Sequence, residues 1–116
     1  MKEQDEFRKY ATMMTSYSNT EGLFRIAVGP GSEDYNWTET VMSKTPAKRI
    51  DGLSVHHYSV INWSAKGSAT DFSEEQYFKT MSEAWRMERF LTKNSEVMDK
   101  YDPMKKVALI VDEWGG

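Results

Sequence analysis

The residues best suited to chemistry are the last five of the chain, Asp112-Glu113-Trp114-Gly115-Gly116. They follow a short apolar run, Val107-Ala108-Leu109-Ile110-Val111, which reads as a buried strand. Parallel α/β folds keep their reactive groups at the C-terminal edge of such strands. A glutamate there, beside an indole, is what a retaining glycosidase needs as a nucleophile. Asp112 and Glu113 are adjacent on extended backbone, so alternation sends their side chains to opposite faces. That predicts one carboxylate in a cleft and the other in its surround. The same pair also fits a solvated turn at a strand end. Trp114 offers a flat apolar wall and the two glycines let backbone approach a ligand closely, which favours a site.

A second cluster closes another apolar stretch, Ile50-Asp51-Gly52-Leu53-Ser54-Val55-His56-His57-Tyr58. Alternation puts His56 and Tyr58 on one face and His57 on the other. His56 and Tyr58 are then able to hydrogen-bond a carboxylate on a neighbouring strand and set its pKa. The alternative is a pair of histidines satisfied by backbone groups. A metal site is not expected, because the chain has two histidines, adjacent to each other, and no third ligand at motif spacing. The loop after this strand carries Trp63, which is placed to stack on a sugar face or simply to pack on the sheet. Gly29-Pro30-Gly31 lacks the glycine spacing and the Lys-Ser/Thr ending of a phosphate loop, so no nucleotide cofactor is expected.

These residues need elements to hold them. Apolar residues Phe7, Tyr10, Ala11, Met14 and Tyr17 recur at three and four, predicting a helix from about Lys2 to Tyr17. Leu23 to Val28 reads as a strand ended by Gly29-Pro30. A second helix is expected from Asn36, as N-cap with Glu39 three residues on, to Pro46. Ile50–Tyr58 is the next strand, and Ser59–Phe72 a long polar loop of the kind that is often functional. Ser73 and Gln76 form a capping box for a third helix. Tyr77, Met81, Ala84, Trp85, Glu88, Leu91 and Met98 follow helical spacing up to Tyr101, and Asp102-Pro103 closes it. The order helix, strand, helix, strand, helix, strand implies βαβ units and a parallel sheet, with right-handed crossovers placing the helices on one side. Three parallel strands leave two open edges, which points to a piece of a larger fold.

Composition narrows the class. A chain of 116 residues holds one modest domain, well short of the roughly 250 residues of a closed eight-stranded barrel. Net charge is −3, with Lys and Arg scattered, so nucleic acid is not an expected partner. There are no cysteines and hence no disulfide framework. No run reaches the roughly 18 apolar residues of a membrane helix, and the polar start has no signal-peptide core. A cytoplasmic chain without membrane partners is expected. Four Trp, six Tyr and five Phe suffice both for a core and for a sugar-binding cleft.

Five ordered blocks carry a resemblance. Tyr35-Asn36-Trp37-Thr38-Glu39, Asp51-Gly52-Leu53-Ser54-Val55-His56, Lys66-Gly67-Ser68-Ala69-Thr70-Asp71-Phe72, Met98-Asp99-Lys100-Tyr101-Asp102-Pro103 and Val111-Asp112-Glu113-Trp114-Gly115 resemble glycoside hydrolase family 51, the α-L-arabinofuranosidases. The resemblance spans nearly the whole chain. It implies a partial (β/α)8 TIM barrel of three βα units with parallel strands, residues 1–116 being the central part of the catalytic domain. It implies Glu113 as catalytic nucleophile, with His56 and Tyr58 orienting it and contacting the sugar. The residue reading adds Trp63 and Trp114 to the expected substrate-binding set, and no cofactor is expected. The implied partner is an arabinose-containing oligo- or polysaccharide, and the implied parent is a homo-oligomer. The family's acid/base glutamate lies in an Asn-Glu pair on a strand that would precede Met1, and this sequence has no such pair. The chain alone is therefore expected to be inactive. The family usually has tyrosine where His57 stands. Other readings are a different retaining glycosidase of this barrel type, β-xylosidase or endoglucanase, or a non-catalytic α/β interaction module.

Overall fold

The structure, a computed structural model, describes residues 2–18, 22–45 and 49–116. Its elements alternate as α1 (Lys2–Met13), β1 (Ile26–Ala27), α2 (Tyr35–Lys44), β2 (Gly52–Tyr58), α3 (Glu74–Tyr101) and β3 (Ala108–Gly115). The strands form one sheet in the order β1-β2-β3, and both pairings are parallel. This is the α/β architecture that the alternating pattern implies.

Several boundaries differ from the sequence reading, each for a local reason. Helix α1 ends at Met13, and of its expected stripe only Phe7 and Ala11 pack inward; Tyr10, Met14 and Tyr17 are exposed. Strand β1 has two residues instead of six. Its neighbouring backbone groups find side-chain partners outside the ladder: Val28 O accepts from Trp37 Nε1, and Gly29 N donates to Ser54 Oγ. Helix α2 is capped by Asp34, not Asn36, through a bond from Trp37 N to Asp34 Oδ1. Glu39 turns instead to Lys100 and Tyr101 on α3. Pro46 lies outside the described residues.

Helix α3 starts as its sequence requires. Ser73 Oγ accepts from Gln76 N, and Ser73 N donates to Gln76 Oε1, satisfying two otherwise orphaned donors. It ends at Asp102, whose carboxylate accepts from Val107 N and so turns the chain into β3. Its buried residues, however, are Phe90, Asn94 and Met98, spaced by four. Tyr77, Met81 and Trp85, among the residues that give the helical spacing, are exposed. Asn94 is fully buried with its side chain paired: Thr38 Oγ1 of α2 donates to its Oδ1 and its own amide donates to Phe90 O. A polar pair thus joins α2 to α3 with its hydrogen bonds made.

The core gathers Ala27, Val41, Met42, Ile50, Leu53, Met98 and Val107, with Phe7, Trp37, Tyr101 and Leu109 against it. It is built on the first half of β2 and the start of β3. The C-terminal halves of those strands are left for other work.

Candidate active site

Strands β2 and β3 pair in simple register from Gly52–Ala108 to Val55–Val111, then slip: His56 faces Glu113, His57 faces Trp114, and Tyr58 faces Gly115. Asp112 has no partner across the ladder. This is a bulge, two residues opposite one, and bulges re-aim side chains beside active sites. The alternation argument therefore fails at this step. Asp112 and Glu113 do not divide between two faces; both reach His56. The His56 Nε2 lies 3.0 Å from Asp112 Oδ1, and His56 Nδ1 lies 3.9 Å from Glu113 Oε2.

Beyond the slip, alternation on β2 holds. Tyr58 Oη donates to Glu113 Oε1 at 2.5 Å. The bond pushes the Tyr58 phenol above its ordinary pKa, because a phenolate there would face the Glu113 carboxylate. Gly115 stands opposite Tyr58, and a Cβ on it would come within 3.2 Å of the ring. The glycine thus lets the phenol lie against the backbone of β3. Trp63 meets the Tyr58 ring edge-on, centroids 5.4 Å apart, and the Lys66 ammonium sits 5.0 Å over the indole. His57 points the other way: its Nε2 meets Glu83 O of α3 at 2.9 Å and its ring lies near Phe90.

The structure thus brings together Glu113, His56, Tyr58 and Trp63. Trp114 is not brought to them. It faces away from Glu113 and lines an open depression of about 340 Å³ with His57, Ser59, Ala84, Met87, Val111 and Gly115. Sequence reasoning missed Asp112 as a partner of His56, since two adjacent acids give no sign of a bulge. It also missed Lys66 over Trp63. Among the described residues no group of three or more His, Cys, Asp or Glu is arranged to hold a metal ion.

The loop after β1 fixes the other flank. His56 N donates to Pro30 O, and Gly29 is so tightly seated that a Cβ would overlap Ser54 O. Glu33 of the same loop is gripped by Arg86 and Arg89 of α3, and the Arg89 hydrogen bond, the largest influence, holds its carboxyl below the usual range.

Known proteins resemble this chain. An intracellular exo-α-L-arabinofuranosidase of Bacteroides ovatus is 45% identical over 112 residues, which is 96% of this chain and 21% of that protein. The crystal structure of the GH51 arabinofuranosidase from Xanthomonas axonopodis pv. citri matches with a TM-score of 0.91 at 43% identity, over 97% of this chain and 23% of that one. The chain corresponds to a segment of the glycoside hydrolase family 51 fold. It spans about a fifth of the length of the Bacteroides relative. No family model matches it. In family 51 terms, the three βα units are part of a TIM barrel, and the Tyr58–Glu113 pair stands at the strand ends where such barrels carry chemistry. Among the described residues no helix is long and apolar enough to cross a membrane.

Proposed function

We propose that this chain, as the central part of a catalytic barrel, carries the nucleophile side of a retaining α-L-arabinofuranosidase site. The observation that carries the reading is the bond from Tyr58 Oη to Glu113 Oε1 at the C-terminal ends of β2 and β3. One oxygen of the carboxylate is held, and the other is left to attack the anomeric carbon. The C–O bond to the leaving group then breaks and an arabinofuranosyl ester forms on Glu113. Water later releases the sugar with retention. Protonation of the leaving oxygen needs a second carboxyl about 5–5.5 Å from the first. Asp112 does not fill that role, because its carboxylate is turned to His56. Tyr58 orients the nucleophile, His56 lines the cleft beside it, and Trp63 flanks the sugar. Trp114 packs toward α3 and is outside this set.

The substrates are terminal α-L-arabinofuranosyl residues of arabinans, arabinoxylans or oligosaccharides derived from them. The relatives' names support that choice, and the word intracellular in one of them supports a cytoplasmic site of action. A homo-oligomeric parent fits the same reading.

The test separates nucleophile from acid. With a 2,4-dinitrophenyl α-L-arabinofuranoside the leaving group departs without a proton, so a nucleophile alone suffices. Mass spectrometry of the chain after incubation is expected to show arabinosyl ester on the peptide holding Glu113, absent in Glu113→Gln. Ordinary aryl arabinofuranosides should turn over about 10²–10⁴-fold more slowly than with a general acid in place. Full-rate hydrolysis of such a substrate by the chain alone, lost in Glu113→Ala, contradicts a one-sided site.

A further inference from the structure

We propose that Asp112 is a positioning residue that fixes the tautomer of His56 and so keeps one oxygen of Glu113 free to attack. The proposal deepens the reading of Glu113 as nucleophile and rests on it. Three distances carry it. Asp112 Oδ1 is 3.0 Å from His56 Nε2, Glu113 Oε2 is 3.9 Å from His56 Nδ1, and Tyr58 Oη is 2.5 Å from Glu113 Oε1.

An ionised carboxylate only accepts hydrogen bonds. The ring nitrogen in reach of Asp112 must therefore carry the proton of the neutral imidazole. Nδ1 is then left with a lone pair, and that is the nitrogen facing Glu113. It has no proton to give, and at 3.9 Å it is beyond hydrogen-bond range. Among the described residues Glu113 thus has Oε1 engaged by Tyr58 and no hydrogen bond to Oε2. In the other tautomer an Nδ1–H would be drawn to Oε2, both oxygens would be tied, and the nucleophile would be weaker. The arrangement matches the way a carboxylate fixes the tautomer of a functional histidine elsewhere. It exists because the bulge at Asp112 sets two consecutive carboxylates against a single ring. Among the described residues the charged groups in reach of the His56 ring are Asp112 and Glu113, both from β3, and Tyr58 enters through Glu113.

The experiment reads the tautomer directly, on the full chain labelled with ¹⁵N-histidine, by long-range proton–nitrogen correlation at a pH where the imidazoles are neutral. The chain has two histidines, and His57 serves as an internal reporter because its Nε2 lies on Glu83 O. The wild type is expected to hold His56 as Nε2–H. In Asp112→Ala the Nδ1–H form should rise at least several-fold, while His57 keeps its signal. Asp112→Asn retains an acceptor oxygen and should restore Nε2–H, which a role through charge alone would not do. Glu113→Gln should leave His56 as Nε2–H. Wild-type His56 in the Nδ1–H form overturns the proposal. So does an unchanged His56 in Asp112→Ala with His57 intact, or a tautomer that moves in Glu113→Gln and not in the Asp112 variants. None of these readouts depends on turnover, so they stand apart from the ester-trapping test of Glu113.

Discussion

Tyr58 and Glu113 share one short hydrogen bond, and its consequence is a directional one. Ionising the phenol would set two negative groups against each other, so the folded chain holds the Tyr58 proton to higher pH than an unfolded tyrosine does. The contribution is fully present below about pH 10, the ordinary tyrosine value, and is lost as pH rises through the raised one. In a phenolate absorbance titration two of the six tyrosines, Tyr58 and Tyr35, should therefore ionise late, and only Tyr58 should move to lower pH in Glu113→Gln. A titration curve identical in the two proteins contradicts the bond. Tyr35 is late chiefly because its hydroxyl is withdrawn from water, and it should not move. At this scale the site is partly legible in the sequence. His56 and Tyr58 share a face because strands alternate, and Glu113 meets them. The same alternation separates Trp114 from Glu113, one residue on, so chemistry by residue type alone misleads there. Asp112 is invisible to the rule, because a bulge suspends the rule.

The elements are legible where a local signal decides and obscure where tertiary partners do. The capping box of α3 and its stop at Asp102 are written in neighbouring residues. The start of α2 is not, since Asp34 and Asn36 offer the same capping oxygen and only the chain path chooses Asp34. The inward face of α3 is also misjudged by hydrophobicity, because Asn94 sits in it as a buried polar residue. That residue carries a stability prediction. Asn94→Ala removes the acceptor of the buried Thr38 hydroxyl and leaves a void, and should cost about 2–4 kcal/mol in urea unfolding. Thr38→Val combined with Asn94→Leu removes both polar partners and should cost less than the two single changes added. Strict additivity would mean that the two side chains do not act as a pair.

At the scale of the whole molecule, the chain is elongated, 54 × 31 × 28 Å, and its apolar surface is unevenly covered. Trp85 on α3 and Trp114 on β3 are 79% and 74% exposed, with Phe78 and Met81 also outward. Strands β1 and β3 are edges of the described sheet, and each offers unpaired backbone groups to another chain. Self-association that grows with concentration is expected, measured by light scattering on the eluting peak. Tryptophan emission should shift to the blue as it does so, because three of the four indoles, Trp63 included, start out largely in water. A strictly monomeric chain at high concentration contradicts this. Such a surface is only weakly foreseen by sequence, since the spacing of apolar residues on α3 reports that a face exists and not what covers it.

The slip at Asp112 has an arithmetic of its own. Val55 pairs with Val111 and His56 with Glu113, so every later pairing is what a strand one residue shorter would have made. Asp112 is thus an insertion that leaves the facing of its successors intact. Deleting it should return the strand to plain alternation with Glu113, Trp114 and Gly115 still opposite His56, His57 and Tyr58. Crosspeaks between the amides of those three pairs would report it.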